Sequence, residues 1–411
     1  MKMVVSQAQT EISLAYKLRP DIAMLVGALL EGGIEKVAEV GTLTPGAPVK
    51  PMLAKVANGA EAVHEKLSTL EGGAFVADFK YDGMRAQIHL TADGSAKVFS
   101  RGCEDSTEAF PDAVAAGREA LAEPGAAIVI DAELVAVDRS AEGGRRILPF
   151  QTLATRARTA EGASKAEAAQ VDVCVIAFDL LFCSGRPMVQ RPLSERLAAL
   201  REALPKERPG VFEYATQRIF KSADLPAGCA GTSSGGTEAE AGGADSQNDD
   251  LHALILESVE AGCEGLMCKA LSSVYEPGRR ADAWLKVKRD YVPGLADSLD
   301  LVPIGAWYGN GRKAGWFSPW LMAAVDTDTG ELHCLCRVMS GFSDEFYKRK
   351  TAEYKERMLD SCPAHVHTGE QCSIWFSPFE VWEIRGADLT ASPVHAAGAG
   401  CIGEGERGVG L

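Results

Sequence analysis

The sequence has no long apolar run and no recognisable targeting segment. None of its hydrophobic stretches approaches the roughly 20 residues that a membrane-spanning helix needs. The first 20 residues, MKMVVSQAQTEISLAYKLRP, lack both the apolar core of a secretion signal and the Arg- and Ser-rich composition of a transit peptide. The 11 cysteines are odd in number and follow no disulfide-framework spacing, which fits a reducing compartment. We therefore expect no membrane partner and no secretion.

Positive charge is also scarce. The chain has 42 Lys and Arg against 57 Asp and Glu, a net charge of -15. Because non-specific affinity for nucleic acid depends on Lys and Arg neutralising phosphates, the bulk charge argues against such binding. Much of the acidic excess lies in residues 223–250, which are rich in Gly, Ala, Ser and acid and are predicted to form a flexible surface insertion. A basic groove elsewhere on the chain remains compatible with this composition.

A chain of 411 residues is expected to form two or three domains. Within residues 1–43, positions 11–37 carry a helical pattern, and Gly32-Gly33 is a stop signal for the helix. The apolar face of this helix comprises Ile22, Leu25, Val26, Leu29 and Leu30. Residues 44–291 begin with a proline-punctuated connector and continue as short strands and helices, which predicts an α+β domain of antiparallel sheets. Residues 292–411 show strand patterns with Gly-containing turns, which are typical of a small β-barrel.

The stretch FVADFKYDGMRAQIHL gathers charged residues at a tight turn. Lys80, Asp82 and Arg85 lie between two strand patterns, as they would at the tip of a hairpin. Strand alternation places Arg85, Gln87 and His89 on one side of the second strand, and we expect that side to be solvated.

Similar polar faces recur further along the chain. Asp131 and Glu133 share one side of AIVIDAELV, and Lys286 and Lys288 share one side of AWLKVKR. If these strands belong to one sheet, lysines and an arginine face carboxylates across a groove that suits phosphate and a divalent metal. Taken alone, each face is more typical of a solvated strand surface with exposed ion pairs, and it is the joint presence of the faces that favours the groove.

The motif KYDGMR, residues 80–85, resembles motif I (KxDGxR) of the covalent nucleotidyltransferases, the superfamily of ATP-dependent DNA ligases, RNA ligases and capping enzymes. Five further motifs of the superfamily follow in order: FSRGCED with Arg101, IDAELVA with Glu133, IAFDLLF with Phe178, EGLMCK with Glu264 and Lys269, and WLKVKRDY with Lys286 and Lys288. The flanking phrases LTPGAPVKPMLA, PFQTLATRAR and WEIRGADLTASPVH resemble ATP-dependent DNA ligases of the eukaryotic replicative type (DNA ligase I). The resemblance runs from about residue 11 to residue 411.

The resemblance implies three domains. Residues 1–43 would be the C-terminal remnant of a helical DNA-binding domain. Residues 44–291 would be an α+β nucleotidyltransferase (ATP-grasp-like) adenylation domain of antiparallel sheets with flanking helices, carrying the acidic insertion 223–250. Residues 292–411 would be an OB-fold β-barrel, truncated before the basic motif VI of the family.

The resemblance also implies the roles of the motif residues. Lys80 would attack the α-phosphate of ATP and hold AMP as a phosphoramidate, with Lys286 and Lys288 as catalytic neighbours that neutralise the phosphates. Glu133 and Glu264 would hold Mg²⁺. The implied nucleotide-binding residues are Asp78, Arg85, Arg101, Glu133, Phe178, Glu264, Lys269, Lys286 and Lys288. Asp78 stands where the family usually has Glu.

The implied function is the sealing of nicks in duplex DNA in replication, repair and recombination. ATP and Mg²⁺ would be the cofactors, and a nuclear, monomeric enzyme would act on nicked DNA, with a sliding clamp as partner through an N-terminal region outside this chain. Two alternatives remain open at this stage. One is an RNA ligase or capping guanylyltransferase, and the other is a noncatalytic nucleic-acid-binding relative that lacks motif VI.

Three weaker signals lie in the last domain. Arg312 and Lys313 could contact phosphate, or they could be solvated charges at a hairpin tip. Cys362, His365, His367 and Cys372 fit no common zinc spacing, so we do not predict a zinc site there. Its five tryptophans, Trp307, Trp316, Trp320, Trp375 and Trp382, are expected in the barrel core or rim.

Overall fold

A computed structural model describes residues 2–141, 145–153, 171–221, 244–289, 298–386, 389–399 and 408–411. The chain divides into two compact units, unit 1 (Met1–Tyr291) and unit 2 (Val292–Leu411). Within these described ranges, no helix combines the length and apolar character that crossing a membrane requires.

Unit 1 contains six described helices and twelve strands. The helices are α1 (Lys2–Leu18), α2 (Ile22–Val40), α3 (Ala60–Leu67), α4 (Pro111–Ala120), α5 (Leu193–Ala203) and α6 (Ala244–Glu260). The strands are β1 (Leu53–Val56), β2 (Phe75–Phe79), β3 (Met84–Leu90), β4 (Ala96–Ser100), β5 (Ile128–Asp138), β6 (Arg146–Ile147), β7 (Asp172–Cys183), β8 (Arg186–Pro187), β9 (Phe212–Tyr214), β10 (Gln217–Phe220), β11 (Gly265–Ala270) and β12 (Arg280–Lys288).

The predicted N-terminal helix is two helices, and its predicted apolar face is wrong. Asp21 caps α2 by accepting a hydrogen bond from the backbone N of Met24 at 2.9 Å. The helix continues past a kink at Gly32-Gly33 to Val40. Leu25 and Ala28 are buried in a cluster with Ala15 of α1, whereas the other four residues of the predicted face are exposed. The buried side of α2 is therefore the side that packs against α1. This side is adjacent to the most apolar stripe of the helix and does not coincide with it.

The strands of unit 1 form two sheets. The first sheet has the order β1-β12-β11-β2-β10, and the second has the order β4-β3-β5-β7-β8, with β6 on β5 and β9 on β7. The pairings are antiparallel except β1 with β12 and β7 with β9, which are parallel. The predicted α+β organisation on mainly antiparallel sheets is therefore confirmed for this unit.

A hydrophobic cluster joins the two sheets of unit 1. Val129 and Leu181 of the second sheet pack in one cluster with Ala281 and Trp284 of the first, and all four side chains are buried. A fully buried Val or Leu contributes about 1.5–3 kcal/mol to stability. This cluster fixes the sheets face to face, so side chains from both can line one site.

The predicted hairpin around Lys80 is wrong, because β2 and β3 belong to different sheets. β2 pairs with β10 and β11, whereas β3 pairs with β4 and β5. All five residues of β2 are buried, so this strand needs partners on both edges and cover on both faces. The four residues from Lys80 to Gly83 therefore carry the chain from one sheet to the other.

The predicted solvated face of β3 is also wrong. Gln87 is 3% exposed, and its side chain accepts from the backbone N of Val49 at 2.9 Å and donates to the O of Val49 at 2.6 Å. His89 is fully buried and accepts a hydrogen bond from the N of Gly46 at 3.1 Å. Burial lowers the pKa of His89 to about 3. The proline-punctuated connector, which the sequence pattern predicts to be a linker, covers this face of β3. Its backbone forms hydrogen bonds with the side chains of Gln87 and His89.

The acidic segment 223–250 is only partly described. Its last residues, from Ala244 onward, begin α6 and are therefore helical rather than a loop. Residues 222–243, where the rest of the predicted insertion falls, lie outside the described residues.

Unit 2 is built on one curled sheet with the order β16-β18-β13-β14-β15-β17, and β19 also pairs with β13. Its elements are β13 (Ser298–Tyr308), β14 (Phe317–Val325), β15 (Leu332–Val338), α7 (Asp344–Lys355), β16 (Met358–Leu359), β17 (Val366–His367), β18 (Ile374–Phe376), β19 (Trp382–Arg385), β20 (Thr390–Ser392) and β21 (Gly408–Gly410). The first half of β13 pairs with β19 and the second half with β18, which bends the sheet around a core containing Trp320 and Trp382. These two tryptophans are buried, as expected, and Trp307, Trp316 and Trp375 are partly buried around the core.

Candidate active site

The candidate site begins at the turn that follows β2. The backbone N of Lys80 donates to the O of Gly265 at 2.7 Å, and the backbone O of Lys80 accepts from the N of Glu264 at 2.8 Å. Lys288 stands opposite Gly265 on the neighbouring strand, and Lys286 stands opposite Met267. Backbone pairing therefore brings three lysines and one glutamate to the same end of the first sheet, although Lys80 precedes the other three by 184 to 208 positions in the chain.

Two of these lysines share the carboxylate of Glu264. Its Oε2 lies 2.9 Å from the Nζ of Lys80 and 2.5 Å from the Nζ of Lys288. Although burial opposes ionisation, the two ammonium groups hold the pKa of Glu264 below its usual value. Burial, together with Lys288 and Lys80, lowers the pKa of Lys286. The cluster has more cations than this single carboxylate can neutralise, so it favours an incoming polyanion.

Further carboxylates approach the lysines. Glu133 of β5 lies directly opposite Arg85 of β3 in the second sheet. Burial raises the pKa of Glu133 to about 8, with Lys80 and Arg85 opposing the shift. Burial also raises the pKa of Asp82, with the neighbouring Glu264 adding to the shift. Carboxylates that are costly to ionise beside a cation cluster are typical of sites where a bound ligand completes the charge balance.

Arg85 is held by a network within the protein. Its Nε and Nη2 donate to the two carboxylate oxygens of Asp131 at 3.0 and 2.7 Å, and its Nη1 donates to the O of Met52 at 2.6 Å. The hydroxyl of Tyr275 also donates to Asp131, at 2.8 Å. Asp131 and Tyr275 were not predicted as site residues. Asp131 carried a signal, since it shares a strand face with Glu133, whereas Tyr275 lies in a segment without a recognisable pattern.

Two aromatic side chains lie next to Arg85. Phe178 of β7 lies 5.4 Å from the guanidinium carbon of Arg85 and 4.4 Å from the Nζ of Lys269. Trp284 lies on β12, next to the strand β11 that carries Lys269. Its ring centroid is 4.8 Å from the Nζ of Lys269. Lys269 also forms a buried ion pair with Asp78 at 2.6 Å. Burial raises the pKa of Asp78, and Lys269 opposes the shift. Sequence reasoning missed Trp284, which sits inside the motif WLKVKRDY.

The predicted site residues thus fall into three connected groups and one outlier. The first group is Lys80, Glu264, Lys286 and Lys288, the second is Arg85 and Glu133, and the third is Asp78, Phe178 and Lys269. Arg101 lies exposed in the turn after β4, and within the described part of the chain it has no hydrogen bond or ion pair to the others. The predicted single-sheet groove is wrong, because Lys286 and Lys288 belong to the first sheet and Arg85, Asp131 and Glu133 belong to the second.

The residues of unit 2 that carried weaker sequence signals form their contacts within that unit. Arg312 pairs with Asp344 at 3.0 Å, and the Nζ of Lys313 donates to the hydroxyl of Tyr347 at 2.9 Å. Cys362 and Cys372 are free thiols that donate to backbone carbonyls, and the four residues considered for zinc do not form a metal-binding group among the described residues.

Comparisons with known proteins cover most of the chain. A family model described as an ATP dependent DNA ligase domain matches residues 51–226 and 240–288, and one described as an ATP dependent DNA ligase C terminal region matches residues 313–399. "DNA ligase 6" of Arabidopsis thaliana is 43% identical over 392 residues, which are 94% of this chain and 27% of that protein. "DNA ligase 1" of Saccharomyces cerevisiae is 34% identical over 407 residues, which are 98% of this chain and 49% of that protein. The chain therefore spans about half or less of the length of these relatives.

A solved structure supports the fold. The structure named "Pmar-Lig_Pre." is similar with a TM-score of 0.54 and 18% identity, covering 93% of this chain and 74% of that one. At this identity the likeness concerns the fold alone, and it agrees with the predicted adenylation and OB-fold architecture.

Proposed function

Because the chain belongs to the ATP-dependent DNA ligase family, we propose that it joins nicks in duplex DNA through a lysyl-AMP formed on Lys80. The observation that carries this proposal is the meeting of Lys80 and Lys288 at Glu264, with Lys286 on the same strand as Lys288 and Phe178 against Lys269 of the neighbouring strand. A primary amine, a surplus of fixed cations and a planar aromatic surface are what adenylate transfer needs in one place.

The first step would be transfer of AMP from ATP to the enzyme. The neutral amine of Lys80 forms a bond to the α-phosphorus, the bond from that phosphorus to the bridging oxygen breaks, and pyrophosphate leaves with its electron pair. The amine must lose its proton, since an ammonium group has no lone pair with which to attack. Lys286 and Lys288 would neutralise the negative charge on the phosphate oxygens and on the departing pyrophosphate.

The adenosine of ATP would lie towards the second sheet. Adenine would stack on Phe178, and the ribose would lie near Glu133 and Arg85. The buried pair of Asp78 and Lys269 is close enough to the Phe178 ring to offer hydrogen bonds to the base edge. Since stacking discriminates weakly between bases, we assign the preference for adenine to this pair. Arg101 would join from its exposed turn only when nucleotide or DNA is bound.

Glu133 and Glu264 fit a Mg²⁺ ion by the chemistry of their donors, because this ion prefers carboxylate oxygens. The raised pKa of Glu133, about 8, supports the fit, since a divalent cation would favour the ionised carboxylate that burial disfavours. When bound, Mg²⁺ would neutralise charge on the phosphate oxygens. The residues themselves would orient the nucleotide and keep Lys80 near the α-phosphate.

The later steps would use the same site. AMP would pass from Lys80 to the 5′-phosphate of a nick, and the 3′-hydroxyl would then displace AMP and seal the strand. The curled sheet of unit 2 is suited to contacting the nucleic-acid backbone. We further propose a role in DNA replication, repair and recombination, action as a monomer in the nucleus, and contact with a sliding clamp.

Labelling with α-³²P-ATP and Mg²⁺, followed by a denaturing gel, tests the first step. We expect the wild type to acquire label, and Lys80→Ala and Lys80→Arg to acquire none, because the guanidinium group keeps its proton at any workable pH. Lys55→Ala is the matched control, since Lys55 lies in the same sheet and forms an exposed ion pair with Asp282. Label on Lys80→Ala would contradict the proposal, and label from GTP in place of ATP would favour a guanylyltransferase.

Preadenylated nicked DNA separates the steps. Lys80→Ala should still seal this substrate slowly, because AMP has already been transferred to the DNA. Failure of the wild-type chain to seal it would favour a noncatalytic relative.

A further inference from the structure

A group of three potential metal ligands lies on unit 2 and shares no residue with the set proposed for adenylate transfer. Glu331, His333 and His367 each offer a ligand atom, and these atoms lie within 4.8 Å of one another. The Oε2 of Glu331 is 3.1 Å from the Nε2 of His367 and 3.8 Å from the Nε2 of His333. The two imidazole rings stack with their centroids 4.6 Å apart and 15° between their planes.

The sheet explains why these side chains meet. His333 of β15 lies directly beside His367 of the parallel strand β17, and Leu332 lies beside Val366. Glu331 is two residues before His333, so both side chains project to the same side. Leu332 and Val366 are buried on the opposite side, which leaves the three ligands facing outward and partly exposed.

The backbone around the group is also fixed. The N of Leu332 donates to the O of His365 at 2.9 Å, which holds the two segments side by side. The N of Asp326 donates to the O of Glu331 at 2.9 Å and closes the turn that leads into β15. Both ligand-bearing segments are therefore in position before any ion binds, and only side-chain rotation is required.

We propose that Glu331, His333 and His367 form a Zn²⁺ site that fastens the segment around β17 to β15. Two imidazoles and one carboxylate are ligands that Zn²⁺ takes at about 2.0–2.2 Å in tetrahedral geometry. Such a site needs ligand atoms about 3.3 Å apart, which the 3.1 and 3.8 Å separations approach. Mg²⁺ and Ca²⁺ prefer oxygen ligands and are poorly matched to this set. The outward exposure leaves the fourth position to water.

The site differs from the zinc pattern considered in the sequence. Only His367 belongs to both sets, because Glu331 and His333 lie just before and at the start of β15, more than 30 residues before His367. Burial raises the pKa of the Cys372 thiol to about 11, which disfavours the thiolate that zinc binds. Spacing within one loop could not reveal ligands that sheet pairing supplies.

The fastening effect follows from the shortness of β17. This strand has two residues and pairs with β15 at two register positions. An ion bound by His367 on one side and by Glu331 and His333 on the other would cross-link the two segments. We therefore expect Zn²⁺ to slow amide hydrogen exchange in the peptide around residues 362–370.

The test is zinc content measured on the full chain. After chelator treatment, the protein is dialysed against micromolar Zn²⁺ with excess Mg²⁺, and bound metal is measured by mass spectrometry. We expect the wild type to hold one more zinc ion per chain than the double variant His333→Gln/His367→Gln, and Glu331→Gln to bind more weakly. His365→Gln is the matched control, because His365 is an exposed neighbour outside the group. Thermal melting of each metal-free variant confirms that it is folded.

Equal zinc content in the wild type and the double variant would overturn the proposal. Substitution with Co²⁺ gives an independent readout. We expect absorption bands without thiolate-to-cobalt charge transfer, and such a charge-transfer band would place the ion on cysteines and overturn the assignment. Hydrogen exchange that Zn²⁺ slows in the wild type, but not in the double variant, would support the fastening role.

Discussion

Gly83→Ala should disturb the site through the turn that links the two sheets. A Cβ at position 83 would lie 2.3 Å from the backbone O of Leu134, 2.9 Å from a methyl group of Val135 and 3.0 Å from the Cγ of Glu133. The first contact is with backbone of the central strand β5, which cannot rotate away, so the turn itself must shift. Overpacking of this kind costs about 1–3 kcal/mol. Misplacement of a reacting group by 1 Å can slow a reaction by about 10²-fold.

We therefore expect Gly83→Ala to slow single-turnover formation of lysyl-AMP by about 10²-fold, and to lower the urea midpoint of unfolding modestly. Gly117→Ala is the matched control. It adds the same methyl group within α4, where the nearest atom would be 3.6 Å away, an ordinary contact. Labelling of Gly83→Ala at a rate within about twofold of the wild type would refute the inference that close packing of this turn positions Lys80.

Three further predictions concern charge and the acidic segment. Lys269→Met should lower the free energy of unfolding by about 3–5 kcal/mol, because it leaves Asp78 buried without its partner. Urea titration measures this free energy, and a loss no larger than that of Lys55→Ala would contradict the prediction. Because the pKa of Glu133 is raised on folding from its usual value near 4.5 to about 8, folded protein binds this proton more tightly. The contribution is present below pH 4.5 and is lost as the pH rises through 8. Stability of ATP-free wild type should thus fall more steeply over this range than that of Glu133→Gln, and parallel pH profiles would be contrary to this assignment. Deletion of residues 226–243, which stops before α6, should leave adenylation and the melting temperature nearly unchanged. The composition of this segment predicts a flexible surface insertion, and shortening such an insertion changes closure entropy little. A large loss of either would contradict that prediction.

The charged centre was predictable because its residues follow short-range rules. Lys286 and Lys288 alternate on one strand, and Glu264 directly precedes a second strand, so strand periodicity and motif order were enough to select them. Their meeting with Lys80 depends on strand pairing, which the family motifs implied and periodicity alone does not give.

Other features could not be predicted because they depend on distant partners. The hairpin expectation failed because the partners of β2 are β10 and β11, more than 130 residues later. The strand pattern predicts that Gln87 and His89 are solvated, because it does not show the connector that covers them. Tyr275 reaches Asp131 across 144 positions, a separation at which no local pattern exists.

The pairing of Leu332 with Val366 also depends on a partner that is distant in the sequence. It places Glu331, His333 and His367 together through a parallel register that neither segment encodes alone. The sequence pattern set His367 beside Cys362, His365 and Cys372 only, and on that spacing we predicted no zinc site. Register between distant strands is therefore the physical information that the sequence patterns lacked.

Intact mass after incubation with ATP and Mg²⁺ tests the central claim most directly. We predict a single added adenylate, released by acid as expected of a phosphoramidate, and located on the peptide that contains Lys80. An unchanged mass under conditions where the chain is folded, or an adenylate located on any other residue, would contradict it.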